Sequence, residues 1–162
     1  MALFEFSVVA SGLDHEADDF EDRFFEAGCH DATVAFARGA IILQFAREAA
    51  SLGEAITSAI EGVRKAGATV DRVEPDWLVS LSEIAARSGL TRAAISLYAK
   101  GERGKDFPHS VARVTTESPL WDWPVVARWL HERDQIPEQA VVEAKIIRSV
   151  NDALADEHRR YA

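Results

Sequence analysis

The chain contains little cysteine and no long apolar run. Each absence excludes a class of protein. Cys29 is the single cysteine among 162 residues, so an internal disulfide is excluded and we expect a reducing compartment. No apolar stretch approaches membrane-spanning length, and the N-terminus lacks the pattern of a secretion signal. Apolar residues nevertheless make up 48% of the chain, which is enough for a core. We therefore expect a folded, soluble, cytoplasmic protein without a membrane partner.

The sequence also lacks the motifs that carry catalysis or bind metals. Its five histidines are scattered, none accompanies a nucleophile motif, and no glycine-rich phosphate loop is present. Cys29 and His30 have no second pair at the spacing of zinc ligands. In the acidic run 14–22 the phenylalanines keep helical spacing, which favours a solvated helix face over a metal site. We predict no catalytic residue, no metal and no cofactor, and thus a protein that is not an enzyme.

The net charge of −9 is unevenly distributed along the chain. Residues 1–75 contain 14 acidic and 6 basic side chains, residues 76–134 contain 8 of each, and residues 135–162 contain 5 and 4. Within the middle block, segment 81–113 has six basic and three acidic side chains. A basic patch on an acidic chain is expected when one module contacts phosphate. An ordinary solvated helix face is the open alternative.

Residues 80–98 predict a helix-turn-helix. Ser80 and Glu83 have the spacing of a capping box at the start of a first helix. Gly89 stands where the turn requires a positive φ, and Thr91 is placed to cap a second helix. Ile84 and Ile95 are predicted to face inward and pack the two helices together.

The segment after the second helix predicts a β-hairpin and a third helix. Residues 111–114 and 120–123 are predicted as its two strands, joined by a turn at 115–119. Pro124 suits the first turn of a helix whose apolar stripe contains Val125, Val126, Trp129 and Leu130. We expect the tryptophans of this region to pack in a core rather than to stack on bases. The order helix, turn, helix, hairpin, helix is that of a winged helix.

This region resembles the excisionase-like and AlpA-like DNA-binding domains, which are related to the MerR group. The resemblance rests on residues 78–85 (LVSLSEIA), the pair Phe107-Pro108 and residues 120–130 (LWDWPVVARWL). It implies that the second helix enters the major groove of double-stranded DNA and that the wing contacts the neighbouring backbone. By position, it assigns base contacts to Arg92, Ala93 and Ser96, and phosphate contacts to Thr91, Lys100, Arg103, Lys105 and Arg113.

Two residues depart from the pattern of that family. Ser88 stands where an apolar residue is usual. Asp122 lies in the predicted wing strand, where a basic residue is common. A carboxylate there would weaken contact with DNA unless Asp122 points away or pairs with Arg113.

The N-terminal half predicts the order strand, helix, strand, strand, helix, strand. The predicted strands are 4–10, 33–37, 40–46 and 69–74, with a tight hairpin at Arg38-Gly39. Asp14 is placed to cap the first helix, and Ser51 with Glu54 to open the second as a capping box. This order is that of the ferredoxin-like, split βαβ fold (βαββαβ). Residues 137–161 have a helical pattern that packs within the chain or pairs with a second copy.

Together these features predict an α+β protein with three segments. They are a ferredoxin-like domain at 1–75, a winged helix-turn-helix at 76–134 and a C-terminal helix at 135–162. The function we expect is sequence-specific DNA binding by a homodimeric transcription regulator, with the N-terminal domain used for dimerisation or sensing. One alternative is an antitoxin-like adaptor that binds a basic protein partner through its acidic N-terminal domain. Another is a structural scaffold without affinity for DNA.

Overall fold

A computed structural model describes residues 1–161, which form an α+β fold of six helices and six strands. The chain divides into two compact units. Unit 1 comprises residues 1–75 together with the C-terminal residues from 149 onward, and unit 2 comprises residues 76–148. Within the described residues, no helix combines the length and the apolar character needed to cross a membrane.

Unit 1 is built on a four-stranded antiparallel sheet with the strand order β2-β3-β1-β4. In chain order its elements are β1 (Ala2–Ser11), α1 (Phe20–Glu26), β2 (Ala32–Ala37), β3 (Ala40–Ala49), α2 (Leu52–Lys65) and β4 (Thr69–Glu74). Strands and helices therefore follow the order that the sequence predicts.

The core of unit 1 lies between α2 and the sheet. Helix α2 begins where the Ser51 hydroxyl accepts a hydrogen bond from the Glu54 backbone N–H at 3.1 Å. One stripe of the helix is fully buried, as its 3.6-residue apolar period predicts. The largest fully buried side chains of this core are Val8, Phe24, Ile41, Leu43, Ile56, Val63, Val70 and Val73.

The hairpin between β2 and β3 confirms the predicted two-residue turn. Arg38 (φ 53°) and Gly39 (φ 81°) both adopt positive φ, which such a turn requires because its twist must match that of the strands. Ala37 pairs directly with Ala40 across it.

The prediction for α1 was wrong at its start. The helix begins at Phe20 rather than after Asp14, and the Asp19 side chain makes no capping hydrogen bond. Asp14 instead accepts the Glu16 N–H with its carboxylate and the Ala17 N–H with its carbonyl. Aspartate side chains compete for nearby backbone donors and thereby favour turns over helix. The acidic residues before Phe20 are consequently exposed loop rather than a helix face.

Unit 2 packs three short helices around aromatic residues. Its elements are β5 (Leu78–Val79), α3 (Leu81–Ser88), α4 (Arg92–Ala99), β6 (Trp121–Asp122), α5 (Trp123–Glu132) and the first part of α6 (Glu138–Tyr161). Trp121, Trp123 and Trp129 are each at most 7% exposed, so they form the core of this unit as predicted. The other buried members include Ile84, Ile95, Val126, Ala127 and Leu130.

The predicted strand 111–114 does not form. The segment makes one isolated bridge, Ala112 to Leu120, and Arg113 has a φ of 54°, which is incompatible with an extended strand. The returning strand is also shorter than predicted, because Trp123 already belongs to α5. Strand β6 pairs with β5, not with residues 111–114.

The apolar stripe of α5 differs from the prediction at one residue. Val125 is 51% exposed, whereas Ala127 is fully buried. Helix α5 begins at Trp123, and a buried Trp123 places Val126, Ala127 and Leu130 inward at spacings of three, four and seven. Val125 falls on the opposite side.

Candidate nucleic-acid interface

The turn between α3 and α4 is fixed by a cap at each helix start. The Ser80 hydroxyl accepts the Glu83 N–H at 3.2 Å while the Glu83 carboxylate accepts the Ser80 N–H at 3.1 Å, which completes the predicted capping box. The Thr91 hydroxyl accepts the Ala94 N–H at 3.1 Å and caps α4. Each cap satisfies backbone donors that a helix start leaves unpaired. The two caps thus define the residue at which each helix begins.

Gly89 and Ser88 make the turn itself. Gly89 adopts the left-handed conformation (φ 75°, ψ 5°), and its N–H donates to the Ala85 carbonyl at 3.0 Å. The Ser88 hydroxyl donates to the same carbonyl at 3.3 Å and accepts the Leu90 N–H at 3.2 Å. The hydroxyl at this position therefore bonds to the turn backbone, which accounts for the polar residue here.

Helix α4 presents one uninterrupted surface. Thr91, Arg92, Ala93 and Lys100 are exposed and Ser96 is half-buried, while Ile95 between them is fully buried. Arg92 and Ala93 lie four and three residues before Ser96, and Lys100 lies four residues after it, so these four positions share one side of the helix, while Thr91 is its N-cap. The hydroxyl of Thr91 is already engaged in the cap, which leaves mainly Arg92 and Lys100 as long polar groups on this face.

Arg92 is held by a residue that the sequence alone did not identify. Its guanidinium donates to the Ser82 hydroxyl at 2.8 Å. Ser82 lies in the first turn of α3, so this bond ties the start of α4 to the start of α3. A serine at an exposed position of a first helical turn carries no specific sequence signal, because such residues are usually solvated.

The basic loop after α4 is fastened to α5. The Lys105 carbonyl accepts hydrogen bonds from the Trp129 indole at 3.0 Å and from the Arg133 guanidinium at 2.9 Å. Arg133 also stacks on the Trp129 ring, 3.8 Å from its centroid. Because these contacts use the backbone of the loop, the side chains of Arg103 and Lys105 stay exposed. The two cations directly follow the helix that carries Lys100.

Phe107 joins this loop to the core, since its ring lies 5.0 Å from that of Trp129 and 6.2 Å from that of Tyr98.

Arg113 lies in a separate turn, at the tip of the 111–120 segment. Its carbonyl accepts both the backbone N–H of Thr116 at 3.1 Å and the Thr116 hydroxyl at 2.8 Å. The base of the segment is closed by Val111 N–H to Leu120 C=O at 2.7 Å. The Arg113 side chain is exposed, on a turn held by its own backbone rather than on a strand.

Asp122 does not pair with Arg113. Its carboxylate accepts the Val125 N–H at 3.2 Å, as the N-cap of α5, and the Arg148 guanidinium at 2.8 Å. Arg148 in turn lies 3.6 Å over the Trp77 ring. Asp122 is thus both the last residue of β6, as the sequence predicts, and the N-cap of α5, and an aspartate just before a first-turn proline is the sequence signal for such a cap. Both oxygens of the Asp122 carboxylate are therefore bonded within unit 2.

Arg87 belongs to the basic segment but contributes little to its surface. The guanidinium donates to the Asp76 carbonyl at 2.8 Å and lies 5.7 Å from the Trp123 ring centroid. Burial lowers the pKa of Arg87, an effect that the nearby Glu83 and Asp76 carboxylates oppose. Its side chain is only 19% exposed. The exposed cations of segment 81–113 are thus Arg92, Lys100, Arg103, Lys105 and Arg113.

Four of the eight predicted contact residues share the exposed side of α4, Thr91 caps its start, two lie in the adjoining loop, and Arg113 stands apart on its turn. Within residues 1–161, no group of three or more histidine, cysteine or carboxylate side chains is arranged to hold a metal ion. No family model, curated protein or solved structure matches this chain.

Proposed function

We propose that the chain is a sequence-specific DNA-binding regulator whose unit 2 is a winged helix-turn-helix. The observation that carries this proposal is the exposed face of α4, on a helix that is capped at Thr91 and packed through Ile95. A helix held in this way can enter a major groove with its first turn toward the base edges. In the proposal Arg92, Ala93 and Ser96 contact bases.

The charges around α4 support the same function. Lys100, Arg103, Lys105 and Arg113 are exposed in a unit whose acidic and basic residues are equal in number. Cations of this kind would neutralise phosphates and orient the helix, without selecting a sequence. Arg113 on its turn would supply the wing contact from a shorter wing than the resemblance implies.

Unit 1 is proposed to be a ferredoxin-like module that serves dimerisation or sensing. Its element order and its sheet order β2-β3-β1-β4 support that assignment. The fold itself does not name a ligand. A twofold arrangement of unit 2 would match two half-sites and give useful specificity.

The test is a gel shift with the DNA upstream of the chain's own gene. We expect a salt-sensitive shift whose affinity Arg92→Ala weakens by about fivefold to 150-fold, because a good arginine–guanine contact is worth about 1–3 kcal/mol. The matched control is Arg128→Ala, which removes an exposed arginine from α5 outside the proposed surface. An equal effect of both variants, or none of Arg92→Ala, contradicts the groove assignment.

A second candidate function is an antitoxin-like adaptor. It is favoured by the acidity of residues 1–75 and by the exposed acidic residues between 14 and 22. Such a surface would attract a basic protein partner. Co-purification of a basic protein that requires Asp18 and Asp19 would favour this candidate, whereas DNA binding without any co-purifying protein would favour the first.

A further inference from the structure

The two edge strands of the sheet in unit 1 differ in whether their outward backbone groups are hydrogen-bonded. At the β4 edge, Asn151 accepts the Val73 N–H at 2.8 Å and donates to the Val73 carbonyl at 2.9 Å. His158 lies 3.0 Å from the Val70 carbonyl. Side chains from the last helix thus occupy the outward backbone groups of this strand, as another strand would. This is a recognised way of protecting a sheet edge.

The β2 edge carries free backbone groups. The Ala46 N–H donates to the Asp31 carbonyl, and the alternation of antiparallel pairs then directs residues 33, 35 and 37 toward β3. Val34 and Phe36 direct their N–H and C=O groups away from β3. Within residues 1–161 these four groups have no hydrogen-bond partner, whereas the Ala32 N–H is taken by the Cys29 carbonyl at 3.1 Å.

Charge distinguishes the same strand. Strand β2 (ATVAFA) is the one strand of this sheet without a charged residue, since β1 contains Glu5, β3 contains Arg47 and β4 contains Asp71. Four of its six residues are exposed, including Phe36 at 41%. Exposed edges normally carry charges that prevent pairing. The Phe36 ring stacks on that of His15, with 3.7 Å between the ring centroids. Strand β2 itself therefore presents no charged side chain to a second copy.

We propose that β2 pairs antiparallel with β2 of a second copy and joins the two sheets into one of eight strands. The twofold axis passes beside Ala35, so that Val34 of one copy lies opposite Phe36 of the other. This register exchanges four backbone hydrogen bonds and uses every free group of Val34 and Phe36. It also places a β-branched residue opposite an aromatic one, a favourable cross-strand pair, and two small alanines at the closest approach.

This inference rests on the dimerisation role of unit 1 in the proposed function. Its test contains no DNA, so the strand pairing and the DNA binding can be refuted independently. Sedimentation of the full chain is expected to give twice the 17.8 kDa chain mass. Ala35→Lys sets two ammonium groups against each other at the axis and should halve that mass. Gln44→Lys, an exposed position on the neighbouring β3, adds the same charge on the same face away from the edge and should leave the dimer intact.

A cysteine variant tests the register. Directly opposed residues in the non-hydrogen-bonded pair at the axis are close enough for a disulfide. Ala35→Cys should therefore cross-link two copies on oxidation, whereas Thr33→Cys should not, and the native Cys29 is 2% exposed. Circular dichroism establishes that each variant is folded. A wild-type chain of single mass, a dimer that survives Ala35→Lys, or cross-linking through Thr33→Cys instead of Ala35→Cys overturns the proposal. So does pairing of β2 with a different protein in place of a second copy.

Discussion

Two substitutions of Asp122 distinguish a role as the N-cap of α5 from a role as a wing residue that faces DNA. Asp122→Ala removes the cap of α5 and the ion pair with Arg148, whereas Asp122→Asn keeps a good capping side chain and removes only the ion pair. A lost cap costs about 1 kcal/mol. The ion pair adds about 1 kcal/mol, because the two side chains are 18% and 32% exposed and solvent screens them in part. In the free energy of unfolding of unit 2, we expect a loss of about 2 kcal/mol for Asp122→Ala and of about 1 kcal/mol for Asp122→Asn.

Tryptophan fluorescence during denaturant unfolding measures this loss in unit 2 alone, because all four tryptophans lie between residues 76 and 148. The DNA affinity of folded Asp122→Asn should equal that of the wild type, since the carboxylate faces Arg148. If Asp122 faced DNA as a wing residue, its neutralisation would raise affinity and cost no stability. That pair of results would refute the assignment of Asp122 to the helix cap.

Three further substitutions test other parts of the structure. Gly89→Ala should destabilise unit 2 by about 1–2 kcal/mol by the same fluorescence assay, because φ is 75° there while no atom lies near enough to obstruct a methyl group; an unchanged stability would contradict the left-handed turn. Trp129→Phe should cost about 1 kcal/mol through loss of the bond to the Lys105 carbonyl, and should hasten proteolysis of the loop. The hydrogen-bonded Arg47 lowers the pKa of Asp31, so this pair stabilises unit 1 above the ordinary aspartate pKa and the stabilisation is lost as the pH falls through the lowered value. Asp31→Asn should accordingly flatten the acid limb of the unfolding profile followed by circular dichroism, and an unaltered limb would contradict the pairing.

Sequence patterns predicted most elements whose causes are local. The caps at Ser80 and Thr91, the left-handed Gly89 and the Arg38-Gly39 hairpin all form as predicted, because each depends on neighbouring residues alone. The same holds for α2, whose apolar period is unambiguous. The α+β class follows from these elements together.

What the sequence did not reveal depends on competition or on distant partners. The Asp14 side chain accepts a hydrogen bond within its own turn rather than capping a helix. Aspartate is favoured in both places, so its presence does not distinguish a turn from a helix start. The strand predicted at 111–114 is too short to persist without a long partner, so one bridge remains. The bonds from Arg148 to Asp122 and from Asn151 to Val73 join residues 26 and 78 positions apart, and no local pattern indicates them.

The salt dependence of DNA binding tests the central proposal most directly. Four exposed cations, Lys100, Arg103, Lys105 and Arg113, are proposed to neutralise phosphates, and each contributes about −0.9 to the slope of log K against log salt concentration. We predict a slope of about −3.6 per bound chain, which Lys105→Gln reduces in magnitude by about 0.9 while the loop stays fastened through its backbone. A slope that Lys105→Gln leaves unchanged, or the absence of DNA binding at low salt, would contradict the proposal that this surface contacts DNA.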